Sequence, residues 1–283
     1  MISITKEEKI MKIGIFDSGI GGLSVLHEAY HQLPGQEYIF YADTKHVPYG
    51  LKTTEQIMGY AIEITEFLIA QGVQAIVIAC NTATSVAVKE LRKRYSLPIL
   101  GMEPAVKPAV EETDKKRIMV IATPVTIRED KLKDLLHRVD EEHRVDLLPM
   151  PKLVEFAERE EFESEAVREY IENQFSAFDK DEYSALVLGC THFNYFKPLY
   201  REYFGKDTLL VDGNLGTIRH LADVAKLPLS DDPDRVVLFD DYHNMLYDSK
   251  TTYYFSGTIV KDENTLEHLK RLHNRLEEVR KIN

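Results

Sequence analysis

Apolar positions along this chain follow two patterns. Short unbroken runs occupy residues 12–16, 38–41, 74–79, 117–122 and 184–189. Runs of this length, bounded by turn residues, predict strands buried on both faces. Between them apolar residues return every three or four positions, as on one face of a helix. A helix is predicted over 53–71, with Ile57, Ala61, Ile64 and Leu68 inward, a capping box of Thr53 and Gln56, and Gly72 as its stop. Further helices are predicted over 84–95, over 165–178 with Val167, Ile171 and Phe175 inward, and over 217–225. Thr126 and Glu129 read as a second capping box ahead of Leu132, Leu135, Leu136 and Val139. A short strand follows Pro98, another is expected over 252–255, and a last helix over 263–282 carries Leu266, Leu269, Leu272, Leu276 and Val279.

Strands alternating with helices argue an α/β fold with parallel sheets and helices on both faces. The interval from Asp17 to Cys80 is nearly repeated from Thr123 to Cys190, so the chain reads as two similar parallel-sheet α/β domains laid end to end. The expected division is 1–104 plus 214–283 for the first domain, the tail packing back on it, and 105–213 for the second. Ligands of such sheets sit beyond the carboxyl ends of the strands, where Asp17, Cys80, Thr123 and Cys190 all fall.

Two of those strand ends carry the protein's only cysteines. One run ends in Ala79-Cys80-Asn81-Thr82, the other in Gly189-Cys190-Thr191-His192. A lone cysteine on an apolar strand is most often a small core residue. Here both stand at the end of the run, before hydroxyl or amide residues suited to capping a helix: Asn81, Thr82 and Thr84 after one, Thr191 after the other. A helix N-terminus favours a thiolate and can bring a thiol pKa of about 8.5 toward neutrality, as a general base requires. Zinc at the cysteines finds little support, because they lie 110 residues apart and His192 is the only histidine adjacent to either. A Cys190–His192 nucleophile is a possible reading that leaves Cys80 without a purpose. Two thiols facing each other across one cleft suit inversion of a stereocentre: one removes a proton from carbon and the other delivers one to the opposite face. That chemistry calls for no metal and no cofactor.

Composition narrows the rest. With 283 residues, 44% hydrophobic and 29% charged, the chain has the make-up of a globular protein. No apolar run approaches the roughly 18 residues of a membrane span. A net charge of −12 argues against nucleic acid or an anionic membrane as main partner. Two cysteines without an export signal suggest a reducing cytosol. The polar first ten residues read as a short leader, with Met11 an alternative start. The turn Asp17-Ser18-Gly19-Ile20-Gly21-Gly22 could face an anion with backbone N–H groups, but it lacks the spacing of a dinucleotide or ATP loop.

The stretches IGIFDSGIGGLSVL, YADTKHVPYG, VIACNTAT and LGCTHF, in this order between residues 12 and 212, resemble the signatures of the glutamate racemases, within the cofactor-independent aspartate/glutamate racemase group. DSGIGG with PYG points to glutamate within the group, and aspartate racemases usually have GCTE in place of GCTH. The resemblance implies two α/β domains with the active site between them, and Cys80 and Cys190 as the acid/base pair, the first acting on the D and the second on the L enantiomer. It implies that Asp17 and Ser18 contact substrate and tune the first thiol, that His192 assists Cys190, and that Glu158 is an auxiliary carboxylate. Tyr49 and Gly50 would hold the side-chain carboxylate of glutamate; Asn81, Thr82 and Thr191 would hold its other end, and Thr123 would also reach it. It further implies a bacterial cytosolic enzyme, expected to be a homodimer, that supplies D-glutamate for peptidoglycan. Aspartate racemisation, or a non-catalytic amino-acid-binding role, are the alternatives. The chain departs from the family pattern at Glu155, where a proline is usual, at Phe193-Asn194 in place of Tyr-Pro, and at Ala105 in place of glycine.

Overall fold

A computed structural model describes residues 10–113, 116–237 and 250–282; the leader expected over the first ten residues lies, but for Ile10, outside them. The first half lays down β1 (Lys12–Asp17), α1 (Leu23–Gln32), β2 (Glu37–Ala42), α2 (Thr54–Ala70), β3 (Ala75–Ile78), α3 (Asn81–Arg94) and β4 (Ile99–Gly101). After α4 (Val106–Glu112) the second half follows with β5 (Arg117–Ala122), α5 (Pro124–Arg128), α6 (Asp130–Val139), β6 (Val145–Pro149), α7 (Lys152–Glu158), α8 (Glu165–Phe175), β7 (Tyr183–Gly189), α9 (Lys197–Phe204) and β8 (Leu209–Asp212). The chain closes with α10 (Asn214–Ala225), β9 (Lys250–Phe255), β10 (Thr258–Ile259) and α11 (Glu263–Arg280).

The strands form two sheets, ordered β10-β9-β2-β1-β3-β4 and β6-β5-β7-β8. Every pairing is parallel except β9 with β10. With β9 and β10 set aside, the sheets share one plan. Each starts on an inner strand, steps to one neighbour, crosses back to the other side, then adds an outer strand. The unbroken apolar runs are explained by this: β1, β3, β5 and β7 are central strands with almost every residue buried. The reversal of strand order opens a crevice beyond β1 and β3 in one sheet and beyond β5 and β7 in the other. Asp17 and Cys80 stand at the first crevice, Thr123 and Cys190 at the second.

Several helices form where the periodicity predicts. Thr53 and Gln56 close a reciprocal capping box on α2, and Gly72 takes the positive φ of +79° that ends its last turn. In α8, Val167, Ile171 and Phe175 face inward, but the helix stops at Phe175. In α11, Leu269, Leu272, Leu276 and Val279 are buried, and the helix packs on α1 and on the turn after Cys190.

Three expectations are corrected. The helix after Cys80 begins at Asn81, not at residue 84, because Cys80 itself is the N-cap, its sulfur accepting the Ala83 N–H at 3.3 Å. The proposed Thr126–Glu129 capping box does not form. Thr123 caps α5 by accepting the Thr126 N–H at 3.3 Å, with Pro124 opening the helix, and Glu129 is extended (φ −69°, ψ 145°) between α5 and α6. Thr191 caps no α-helix; residues 191–196 form a 3-10 turn. The departure at Ala105 costs the backbone nothing, since its φ of −78° does not call for glycine. No helix among the described residues is long and apolar enough to cross a membrane.

Candidate active site

The glycine-rich turn between β1 and α1 is the floor of the site. Asp17, at the end of β1, is fully buried, and its carboxylate accepts N–H bonds from Gly22 at 3.0 Å and Gly19 at 3.3 Å. The Thr191 hydroxyl, from the other half, donates to the same carboxylate at 3.3 Å. Gly19 and Gly21 are there because the second half comes so near, Gly22 because the turn folds back on Asp17. A Cβ on Gly19 would collide with Glu158 Oε1, one on Gly21 with His192 and Thr191, and one on Gly22 with Asp17. Burial pushes the Asp17 carboxyl above its usual range, against the pull of His192.

Cys80 and Cys190 are free thiols, only 5% and 7% exposed. Their settings differ. Cys80 heads the fourteen-residue α3, with its thiol 3.7 Å from Ser18 Oγ, to which it donates. The sequence led us to expect a thiol lowered by the helix terminus. The Ala83 N–H does act in that direction, but burial, reinforced by the Asp17 carboxylate, outweighs it and pushes the thiol up. Cys80 is therefore held as a protonated thiol.

Cys190 has no helix behind it. Its sulfur lies 3.8 Å from Nδ1 of His192, and Nε2 of the same ring lies 2.7 Å from Glu158 Oε1. The Gly21 N–H also faces Nε2, at 3.3 Å. The nearer, charged carboxylate sets the tautomer: Nε2–H donates to Glu158, which leaves Nδ1 toward sulfur. Burial alone would depress the imidazole, but its contacts with Cys190 and Glu158 hold it well above the ordinary histidine value. The result is a Cys–His–Glu chain in which the ring can take the thiol proton. Glu158 is the last residue of α7 and also accepts the Ile20 N–H at 2.9 Å. The departure at Glu155 has a physical consequence here: it is exposed in the middle of α7, where a proline would interrupt the helix that delivers Glu158.

The remaining predicted residues frame these two thiols. The hydroxyls of Thr82 and Thr123 meet at 2.8 Å, joined by Thr126 at 3.2 and 3.0 Å, which ties α3 to the end of β5. Gly50 packs on Thr123, whose Cβ would be 2.9 Å from any Cβ added there. Asn81 is buried and its Oδ1 has no partner among the described residues, a polar atom left for a ligand to satisfy. Tyr49 is buried, but its hydroxyl is committed to Asp43 Oδ2 at 2.6 Å. Burial and that carboxylate push the phenol far up, so it stays a donor. Asn194, the other departure, donates to the Thr191 carbonyl at 3.2 Å and braces the turn.

Sequence reasoning missed Asp43, which also holds His46 Nδ1 at 2.8 Å and the Ser256 hydroxyl at 3.0 Å, so anchoring the Tyr49 loop to the tail. Its place in the YADTKHVPYG stretch was a signal. The partner of Ser256 was not, because 213 positions separate the pair.

With this geometry in hand, similarity to known proteins is informative. The family described as Asp/Glu/Hydantoin racemase matches residues 18–221. The glutamate racemase of Lachnospira eligens is 46% identical over 275 residues, covering 96% of this chain and 100% of that protein. The crystal structure of glutamate racemase from Campylobacter jejuni superposes with a TM-score of 0.76 at 30% identity, over 93% of this chain and 98% of that one. The glutamate racemase of Francisella tularensis, solved in complex with D-glutamate, gives a TM-score of 0.70 at 25% identity, over 92% and 94%.

Proposed function

This chain belongs to the Asp/Glu/Hydantoin racemase family, and on that footing we propose that it is a glutamate racemase whose two thiols work from opposite faces of one α-carbon. The observation that carries this reading is a pair of buried free cysteines, each following the strand at the switch point of its own sheet, with Asp17, which acts electrostatically on Cys80, bonded across the boundary to Thr191 beside Cys190. Glutamate occupies the crevice between Cys80 and Cys190. From L-glutamate, the thiolate that Cys190 forms with His192 takes the α-proton. The Cys80 thiol gives its own proton to the other face, yielding D-glutamate, a protonated Cys190 and a thiolate at Cys80. The reverse reaction exchanges the roles.

The resting structure suits this direction. Burial keeps the proton on Cys80, where it is needed for delivery, and the imidazole beside Cys190 supplies the base. The substrate ammonium offsets the negative charge that Asp17 places near Cys80, so that a thiolate can form there on turnover. The α-hydrogen beside a carboxylate is a very weak acid, and oriented donors in a dry site must carry the charge that develops. We assign that role to Asn81, whose Oδ1 is unpartnered among the described residues, and to the Thr82 and Thr191 hydroxyls, and we assign the side-chain carboxylate to Gly50, with Tyr49 held behind it by Asp43. Both sulfurs are nearly buried, so a ligand reaches them when the two halves part at the Gly50–Thr123 and Ile20–Glu158 contacts.

The sequence of proton transfers needs no metal and no pyridoxal phosphate. The similar proteins are bacterial, and we place this enzyme in the cytosol as a homodimer making D-glutamate for peptidoglycan. Incubation of either enantiomer in D2O tests the chemistry. The expected product is the opposite enantiomer with deuterium at the α-carbon; no inversion in the absence of added cofactor would refute the proposal.

A further inference from the structure

Away from the thiols, α1 and α11 bring together four side chains that the racemase reading does not use. His27 and His31 are one turn apart on α1, and His273 and Glu277 have the same spacing on α11, so each pair lies on one helix face. The three histidines are buried, and the Glu277 side chain is 13% exposed. Oε2 of Glu277 stands 2.8 Å from Nε2 of His27 and 3.0 Å from Nε2 of His31. Nδ1 of His27 lies 3.2 Å from Nδ1 of His273, whose Nε2 faces the Tyr253 hydroxyl at 3.4 Å.

We propose that His27, His31 and Glu277 form a zinc site that clasps the last helix to the first. Two imidazole nitrogens and one carboxylate oxygen are a donor set suited to zinc. Their atoms lie within 4.8 Å of one another. At bond lengths of about 2.0–2.1 Å, ligand atoms at tetrahedral corners sit about 3.3–3.4 Å apart. The two observed N···O separations reach that with an opening of a few tenths of an ångström. A cavity of about 600 Å³ between α1, α10 and α11, with His27 in its wall, gives a path of entry and room for a water as fourth ligand.

The proton inventory also fits. Without the ion, both Nε2–H groups donate to Glu277, and His27 Nδ1 accepts from His273. With zinc on Nε2, His27 carries its proton on Nδ1 and donates it to His273, which in turn presents Nε2–H to Tyr253. An outer hydrogen bond of this kind orients a metal-bound histidine. His31 has its Nε2 on Glu277, and its Nδ1 has no partner among the described residues.

The test uses the full-length protein, stripped with chelator and titrated with Co2+ as a spectroscopic substitute for Zn2+. One equivalent should bind with the visible ligand-field bands of a tetrahedral N/O site and without the thiolate charge-transfer band that the cysteines would produce. Zn2+ should raise the melting temperature of the wild type, the shift saturating at one equivalent. Glu277→Gln and His31→Gln should each lose both effects, and Cys80→Ser should keep them. No metal-dependent shift in the wild type would overturn the site, whatever the folding of the variants. So would a thiolate band, or cobalt binding unchanged by Glu277→Gln.

Discussion

The end of β3 and the end of β7 are built to one plan and finished differently. Both are central strands of their sheets, both stop at a switch point, and both are followed by a buried free cysteine. Beyond β3 the chain enters a full α-helix, and Cys80 is tied to backbone N–H and a serine hydroxyl. Beyond β7 it enters a 3-10 turn, and Cys190 is tied to an imidazole backed by a carboxylate. The first setting keeps a proton on sulfur; the second offers a base to remove one. The shared plan sets a thiol at each strand end, and on the proposed reading the difference between their surroundings gives the pair an acid and a base at rest.

The largest test of that contrast is to remove either sulfur. Cys80→Ser and Cys190→Ser should each lower racemisation by about 10²–10⁴-fold, the usual range for losing a positioned acid or base. The enantiomers are equal in energy, so kcat/KM must fall equally from both sides; the contrast shows instead in α-hydrogen exchange with D2O, which Cys80→Ser should retain better from L-glutamate and Cys190→Ser from D-glutamate, and an identical exchange profile for both variants would erase the distinction drawn here.

Gly21→Ala addresses the contact that joins the halves. Its Cβ would overlap His192 and Thr191, so the ring must move from Cys190. A loss of activity approaching that of the cysteine variants is expected, with about 1–3 kcal/mol of destabilisation in urea melts.

Glu158→Gln acts chiefly on the Cys190 side, since the amide oxygen can still accept the Ile20 N–H. It removes one of the two contacts that hold His192 up, so the pH–rate limb assigned to this ring should move to lower pH, with about a tenfold fall in kcat. The stability effect has a defined sign. The folded pKa lies above the unfolded value of about 6.5, so the charged ring stabilises fully below about pH 6.5, and that contribution fades as pH rises through the folded value. The gap between wild type and variant in thermal melts should therefore be widest in mild acid and narrow in base. A limb that stays in place would detach Glu158 from His192.

The smallest effect belongs to Thr53→Ala, which removes the α2 capping box. A stability loss of about 0.5–2 kcal/mol is expected, with racemisation by either thiol unchanged.

Much of this was legible in the sequence. Buried parallel strands announce themselves as unbroken apolar runs, and the residues that end them follow directly, so Asp17, Cys80, Thr123 and Cys190 could be placed before any coordinates. Local chemistry was legible where the partner lies within a few residues, as in the Thr53–Gln56 box. It was misread where two caps compete: Thr123-Pro124 claimed the helix start that Thr126 and Glu129 also suggest. Contacts between distant segments were out of reach. The link of Glu158 to Ile20 and the anchoring of Asp43 by Ser256 depend on how the sheets pack, which no spacing encodes. The upward shift of the Cys80 thiol belongs to the same class, since it comes from burial and from Asp17 on another strand.

One measurement bears most directly on the central claim: a crystal structure of the unmodified protein with glutamate bound. The account predicts both sulfurs in van der Waals contact with the same α-carbon, Cys80 on one face and Cys190 on the other. Glutamate touching a single sulfur, or both sulfurs on one face, would contradict it.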